Sequence, residues 1–194
     1  MQYKTRKIGA IFLTLATLSQ SLNAASFFDF RNDLNKRSYI SGQIGYVLTP
    51  SFENTSNNSR FPLGLSGAFG QNFRINDRIF LGYESGVKYL GKSSYSYQGK
   101  DYSQNKFAID ALATVSVFFN PYLEIHAKIG PYYGFTQGNS MSTNSVNLMM
   151  SAGAGLYVNN STEMTLNLNY FNGGNDVEKV QRSTSLNLGV NFYF

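Results

Sequence analysis

The sequence contains no cysteine, no tryptophan and a single histidine among its 194 residues. Without cysteine the chain can form no disulfide, no thiolate metal site, no thiol-linked lipid anchor and no cysteine nucleophile. Charged residues are scarce as well, at 14% of the chain, whereas soluble domains usually contain about 25%. Together with 15% aromatic residues and 18 glycines, this composition favours a strand-rich chain over a soluble helical one.

Long apolar runs are also missing. The segment Ile8–Leu18 is apolar but shorter than the roughly 18 residues that a transmembrane helix needs. Three cations precede it and the small residues Ala24 and Ala25 follow it, which is typical of a secretory signal peptide. We therefore predict a signal peptide over residues 1–25, with an N-terminal anchor helix as the alternative.

The net charge is small once the predicted signal peptide is removed. Residues 1–25 contain three cations and no acid, so cleavage lowers the formal charge from +5 to +2. A charge of this size gives no reason to expect nucleic acid as a partner. Export of a chain without cysteine fits a protein of the bacterial envelope.

The end of the chain has a clear alternating pattern. From Ser183 to Phe194, one face carries Thr184, Leu186, Leu188, Val190, Phe192 and Phe194, and the other carries Ser185, Asn187, Gly189, Asn191 and Tyr193. Period-two alternation predicts a strand with one apolar and one polar face. The termini of soluble proteins tend to fray into water, so a soluble protein rarely ends on a strongly apolar strand. An apolar last strand favours a transmembrane barrel, in which the last strand pairs with the first and faces lipid.

Seven further segments alternate in the same way, which makes eight predicted strands. They are Ile40–Leu48, Leu63–Phe73, Arg78–Tyr89, Phe107–Phe119, Leu123–Phe135, Val146–Tyr157, Glu163–Tyr170 and Ser183–Phe194. Tight turns and longer polar links connect them in strict alternation. The turns contain Asn76-Asp77, Asn120-Pro121 and Asn159–Ser161, and the links are Thr49–Arg60, Gly91–Asn105, Gln137–Asn144 and Asn172–Arg182. Outer-membrane barrels have this arrangement, with short periplasmic turns and longer extracellular loops.

The two faces of these strands decide between two kinds of barrel. A soluble up-and-down barrel of the lipocalin type would turn its apolar face inward and a charged face to water. Here the polar face is rich in glycine, serine, asparagine and threonine, which suits a narrow, filled lumen, and the apolar face carries no ionisable charge, which suits lipid. We therefore predict an all-β fold, an eight-stranded antiparallel transmembrane up-and-down β-barrel.

This architecture and the terminal residues Val190–Phe194 carry a resemblance to a known group. The chain resembles the small eight-stranded bacterial outer-membrane barrels, the porin-family group of the OmpA membrane domain, OmpX and the opacity proteins. The resemblance implies the bacterial outer membrane as the location and its lipids as partners. It also implies that the C-terminal aromatic Phe194 engages the assembly machinery. We expect a periplasmic N-terminal segment over residues 26–38 and the barrel over residues 39–194.

Eight ionisable residues fall on the face that is predicted to line the lumen. They are Arg78, Glu84, Lys88, Asp110, Glu124, His126, Lys128 and Glu163. Counting from the turns places Glu84 level with Lys128. It likewise places Lys88 level with Asp110, and we expect both to be ion pairs because an unpaired charge inside so narrow a barrel is costly. This network is expected to be a polar plug that fixes the barrel, with a gated narrow pore as the alternative.

The single histidine, His126, raises the question of catalysis. A few small outer-membrane barrels modify lipid A, and such chemistry needs a histidine, a serine and a carboxylate that are reachable from the membrane or the outer rim. His126 has lumenal parity and lies near the turn at Pro121, so we expect no enzyme. The sequence has no second histidine, no cysteine and no acidic cluster with ligand spacing, so it predicts neither a metal nor a cofactor.

The sequence Gly-Ala-Gly at Gly153–Gly155 could suggest a phosphate-binding loop. It lies in the middle of a predicted strand with no helix after it, which excludes a phosphate-binding loop. We expect the two glycines to leave room in the lumen for bulky neighbours such as Tyr132 and Tyr157.

The longer links form the other candidate functional surface. The link Gly91–Asn105 is rich in serine and tyrosine, a composition that contacts partners adaptably. It is expected to be a solvated loop or, alternatively, an adhesive surface for a host or another cell. We predict a non-enzymatic protein that serves envelope integrity and surface interaction. A small porin-like channel is the first alternative, and a lipid-A-modifying enzyme is the second.

Overall fold

Nine antiparallel strands run through the residues that the computed structural model describes, which are 36–48, 56–57, 62–97, 100–138, 143–173 and 182–194. The strands are β1 (Lys36–Leu48), β2 (Ser56–Asn57), β3 (Leu63–Arg74), β4 (Ile79–Tyr97), β5 (Lys100–Phe118), β6 (Leu123–Gly138), β7 (Thr143–Asn159), β8 (Thr162–Phe171) and β9 (Ser183–Tyr193). The predicted signal peptide and residues 26–35 lie outside these ranges. Within them, no helix is long and apolar enough to cross a membrane.

Eight of these strands, all except the two-residue β2, close into a barrel. Strands that follow one another along the chain are neighbours in the sheet, and the ring is completed where β1 pairs with β9. In this closing seam Tyr39 lies opposite Tyr193 and Leu48 lies opposite Thr184. Each barrel strand therefore has two partners, which satisfies the backbone within the membrane. The prediction of a closed eight-stranded antiparallel barrel is confirmed.

The two faces of the barrel differ as the alternating pattern predicts. Leu166 is 38% exposed and Leu188 is 62% exposed on the outer face. Their chain neighbours Asn167 and Asn187 point inward and are 1% and 7% exposed. An apolar outer face and a polar lumen are the arrangement that a lipid environment requires.

An aromatic strip crosses the outer face of three neighbouring strands, β4, β5 and β6. The ring centroids of Tyr89 and Phe107 are 5.2 Å apart, and those of Phe107 and Phe135 are 5.3 Å apart. Tyr133 continues the strip, with its centroid 6.0 Å from that of Phe135. Tyrosine and phenylalanine therefore provide interfacial aromatic surface in a chain that has no tryptophan.

Asparagine side chains build the tight turns at one end of the barrel, which we call the turn end. The Asn76 carboxamide oxygen accepts hydrogen bonds from the backbone N–H groups of Arg78 and Ile79, both at 2.9 Å. The Asn120 oxygen does the same in the β5–β6 turn, and the Asn159 oxygen accepts from the Ser161 N–H in the β7–β8 turn. These side chains replace backbone partners and so stabilise short connections. The opposite end, where the longer links lie, is the loop end.

The prediction that Gly91–Asn105 is a loop is wrong. After a bulge that follows Tyr89, β4 and β5 continue as a paired hairpin as far as Tyr97 and Lys100. Gly91, within the bulge, has a φ of +82°, a left-handed conformation that glycine adopts without strain. The alternation of apolar and polar residues did not reveal these strands, because both faces of the extension are polar. Two polar faces are expected where strands extend beyond the lipid.

The first strand also begins earlier than predicted. β1 starts at Lys36, which lies opposite Phe73 of β3. The last three residues of the predicted N-terminal segment, 36–38, therefore belong to the barrel strand. This shift places Arg37 inside the barrel, where it is 4% exposed.

Candidate functional site

The lumen is closed at the turn end by a layer of aromatic rings, which we call the aromatic floor. Its buried members are Tyr39, Phe80, Phe118, Tyr157 and Tyr193. Neighbouring ring centroids lie 5.3 Å apart for Tyr39 and Tyr193 and 5.6 Å apart for Tyr157 and Tyr193. These rings come from β1, β4, β5, β7 and β9, so they converge from around the barrel. Packing at these distances leaves the floor filled with side chains.

A second apolar layer, the apolar ceiling, lies toward the loop end. It consists of Val47, Leu90, Ala108, Leu112, Tyr132, Met149 and Phe171, all buried. The rings of Tyr132 and Phe171 meet edge to face, with centroids 5.4 Å apart. The Tyr132 hydroxyl donates to the backbone oxygen of Asn172 at 2.5 Å, which holds the ring across the lumen. Polar side chains fill much of the space between floor and ceiling.

Glu84 is the centre of the first polar group in that space. Its Oε2 atom accepts from the Lys128 ammonium at 2.5 Å and from the Tyr39 hydroxyl at 2.8 Å. Glu84 is 2% exposed and Lys128 is 8% exposed. A charge this deep is tolerable because it is both paired and hydrogen-bonded.

The second ion pair joins Lys88 and Asp110, with the ammonium nitrogen 3.0 Å from Oδ2. Asp110 lies between Ala108 and Leu112 along β5, so this pair is at the level of the apolar ceiling. A cavity beside Lys88 has a volume of about 10 Å³, room for about one water molecule. The structure thus brings together both charge pairs that the sequence pattern placed level with each other.

Glu124, His126 and Glu163 form a third group, which we call the β6–β8 cluster. One potential ligand atom from each residue lies within 4.8 Å of the others, and all three residues are buried. The His126 Nδ1 atom is 3.1 Å from Glu124 Oε1, and Nε2 is 2.6 Å from the Asn167 side-chain oxygen. The sequence pattern predicted each residue to face inward but did not predict that they meet.

Hydroxyl and amide donors surround the two carboxylates of this cluster. Glu163 Oε2 accepts from the Tyr193 hydroxyl and from Asn191 Nδ2, both at 2.8 Å. Glu124 Oε1 accepts from the Ser116 hydroxyl at 3.3 Å. The aromatic floor therefore supports the cluster from below through its tyrosine hydroxyls.

Two glycines of β7 allow the side chains of β6 and β8 to meet. A Cβ atom at Gly155 would overlap the Oε1 atom of Glu163, and one at Gly153 would lie 2.5 Å from His126 Nε2. The expectation that these glycines make room for Tyr132 and Tyr157 is therefore wrong. They make room for the cluster, because β7 lies between its two strands.

The sequence pattern assigned one arginine at the turn end to the wrong place and missed another. Arg78 lies in the turn before β4 and is exposed, so it takes no part in the lumenal network. Arg37, which the pattern missed, is buried, with its guanidinium carbon 4.2 Å from the Tyr193 ring centroid. It also donates to the backbone oxygen of Asn160. Ser41 faces inward, and alternation assigns the residues two and four positions before it, Tyr39 and Arg37, to the same face. The sequence therefore contained the signal that Arg37 faces the lumen.

These layers have a chemical consequence. The cluster, both ion pairs and both apolar layers fill the barrel with buried side chains. His126 faces this interior and not the outer face of the barrel. The arrangement favours a rigid, filled lumen over a water-filled path.

Comparison with known sequences gives one family. The family described as outer membrane protein beta-barrel domain matches residues 10–194. None of the curated proteins compared with the chain matches it.

Several solved structures have a similar fold. Ail, the attachment invasion locus protein of Yersinia pestis, was solved in complex with the heparin analogue sucrose octasulfate and aligns with a TM-score of 0.53 at 12% identity, over 83% of this chain and 100% of Ail. OprG from Pseudomonas aeruginosa aligns with a TM-score of 0.54 at 9% identity, over 81% and 95% of the two chains. Neisserial surface protein A aligns with a TM-score of 0.51 at 16% identity, over 81% and 97%. At these identities the likeness is one of fold.

Proposed function

The chain belongs to the outer membrane protein beta-barrel domain family, and we propose that it is a non-conducting barrel that supports the envelope and presents a surface hairpin to partners outside the cell. Its location is the bacterial outer membrane, and its apolar outer face contacts lipid. The turn end faces the periplasm and the loop end faces outward, as in barrels with short turns on one side and longer links on the other. The exposed Phe194 at the end of the closing strand is the proposed contact for the assembly machinery.

The filled lumen is the observation that carries this proposal. The aromatic floor and the apolar ceiling close the barrel at two levels, and ion pairs neutralise Glu84 and Asp110. Transport would require both layers to open together. A structural role needs no such motion and gains from the rigidity of the paired and hydrogen-bonded groups around Glu84.

The β4–β5 hairpin supports the surface role. β4 and β5 contain 19 residues each, whereas a tilted strand needs only about 9–11 residues to cross the hydrocarbon core. The excess rises at the loop end, and the pairing of Ser56–Asn57 with Tyr95 and Ser96 adds a third strand beside it. An extended, paired backbone offers a defined contact surface with the serine and tyrosine composition of binding loops.

Catalysis on lipid is the least favoured role. His126 is 7% exposed, and its imidazole contacts Glu124 and Asn167 inside the barrel. A catalytic base for acyl transfer must reach both a nucleophile and the lipid. Its inward position therefore supports a non-enzymatic protein.

Single-channel recording tests the closed lumen directly. We expect protein extracted from outer membranes and inserted into planar bilayers to give no stepwise current, because the floor and ceiling block the path. The Lys128→Met variant should be equally silent, since the ion pair is a support and not a gate. Insertion is verified by recovery of protease-protected protein, and an open porin treated in parallel shows that the assay detects current. Stable current steps from the wild-type protein would overturn the proposal.

A complementation experiment tests the surface role. Cells that lack the gene receive the wild-type chain or a chain in which residues 93–104 are replaced by a two-residue turn. We expect both chains to restore resistance to detergent, and the shortened chain to lower adhesion to host cells or to neighbouring cells several-fold. A matched variant keeps the hairpin length and changes Tyr95, Tyr97 and Tyr102 to serine, which separates the contribution of composition from that of length. Equal adhesion with the shortened and wild-type chains would contradict the proposal.

A further inference from the structure

The β6–β8 cluster brings two carboxylates and one imidazole together in the interior of the barrel. Two carboxylates, Glu124 and Glu163, are 3% and 0% exposed. Lys128 pairs with Glu84 and Lys88 pairs with Asp110, and Arg37 and Lys106 are two further buried cations. Burying carboxylates together is costly unless a cation or a proton compensates them.

One oxygen of the cluster is left without a donor. Glu163 Oε2 has two donors, but no described residue donates to Glu163 Oε1, which is buried. The carboxamide oxygen of Asn191, whose nitrogen binds the same carboxylate, is likewise buried without a donor among the described residues. Buried acceptor atoms without a donor need another partner. A bound cation can be that partner, because a cation is contacted by acceptor atoms.

The histidine is oriented as a metal ligand would be. Asn167 donates its amide to the Thr165 hydroxyl at 3.1 Å, which turns its oxygen toward His126 Nε2 at 2.6 Å. An Nε2–H donor in this hydrogen bond leaves the Nδ1 lone pair directed to the Glu124 side of the cluster. Metal-binding histidines commonly donate their other ring N–H to an oxygen acceptor in this way.

The backbone also keeps the centre of the cluster open. Gly153 and Gly155 place no side chain between β6 and β8, and a methyl group at Gly155 would occupy the position of Glu163 Oε1. Side chains from two strands that are not neighbours in the sheet can therefore converge on one point.

From these observations we propose that the β6–β8 cluster binds one divalent transition-metal ion of the zinc class, through Glu124, His126 Nδ1 and Glu163 Oε1. Two carboxylates and one imidazole are a donor set that Zn²⁺ accepts. The ion lies between the two carboxylates and links β6 to β8 across β7, so its role is structural. The sequence did not predict the site because Glu163 is 37 residues beyond His126 along the chain.

Metal content of the folded protein tests this assignment, with Zn²⁺ as the probe. The untagged full chain is folded in detergent with Zn²⁺, washed with a weak chelator and analysed by elemental mass spectrometry. We expect about one zinc ion per chain for the wild type. Glu163→Gln should lower the affinity more than about tenfold. Glu84→Gln is the matched control, because it removes another buried carboxylate with a tyrosine donor and should retain the metal.

Two further measurements keep the proposal falsifiable if a variant folds poorly. Co²⁺ bound to the wild type in place of Zn²⁺ should give visible absorption bands of a low-coordinate site with nitrogen and oxygen ligands, and His126→Gln should remove them. A wild-type protein that folds without retaining Zn²⁺ would overturn the proposal and leave a proton shared between the two carboxyl groups as the compensation. Equal zinc retention by the wild type and Glu163→Gln would overturn it as well.

Discussion

Replacing Lys128 with methionine is expected to lower the free energy of unfolding by about 3–5 kcal/mol. The ammonium group is 2.5 Å from Glu84 Oε2 in the interior of the barrel. Methionine has a similar length but no charge, so the Glu84 carboxylate would remain buried with the Tyr39 hydroxyl as its remaining hydrogen-bond donor among the described residues. The loss arises mainly from this uncompensated charge, because removing one partner of a buried pair exposes the desolvation cost of the other.

Denaturant titration in lipid vesicles measures this effect, and a double variant isolates its cause. Adding Glu84→Gln to Lys128→Met removes the stranded charge while keeping an oxygen that can accept from Tyr39. We expect the double variant to recover most of the lost stability. If the double variant were as unstable as the single one, the loss would come from packing and the electrostatic explanation would be wrong.

Leu166→Arg should lower the stability of the barrel by about 2–4 kcal/mol. Leu166 lies in the middle of β8 on the outer face, where it is 38% exposed. A guanidinium group at this depth would be placed in hydrocarbon, and the arginine side chain must bend toward the interface to reach water. The same titration in vesicles measures the loss.

Depth provides the matched control for this substitution. Leu48 is also on the outer face, at 44% exposed, but it is the last residue of β1 at the loop end. Leu48→Arg should therefore lose no more than about 1 kcal/mol, since the effect decreases toward the interface. Equal losses at the two positions would show that Leu166 is not near the middle of the bilayer.

The barrel could be predicted from sequence because several local signals agree. Period-two alternation assigns each residue to a face, as at Leu166 and Asn167, and it does so without knowledge of any partner strand. Asparagine at Asn76, Asn120 and Asn159 marks the turns through its own side chain. Eight strands that are joined by short turns at one end and by longer links at the other are compatible with few topologies.

The contacts inside the lumen were harder to predict from the sequence, because they depend on the register between strands. Counting from the turns placed Glu84 level with Lys128, and the two do meet. The approach of Glu163 to His126 depends on a glycine at each of two positions in β7, which alternation does not detect. Arg37 was missed because the first strand begins at Lys36, earlier than the pattern predicted. Arg78 was included because the alternation was counted into a turn, where it no longer assigns residues to a face.

The closing seam between β1 and β9 has a consequence for how the protein folds. Its paired residues, from Tyr39 with Tyr193 to Leu48 with Thr184, are more than 130 positions apart in the chain. The remaining barrel pairings are between successive hairpin strands and so are local, but the ring cannot close until the last strand has been made. Non-local pairing is slow, since the entropy of bringing distant segments together is lost before the contacts compensate for it. Until that final pairing, both β1 and β9 present an unpaired edge, so the unclosed sheet is the stage most exposed to aggregation.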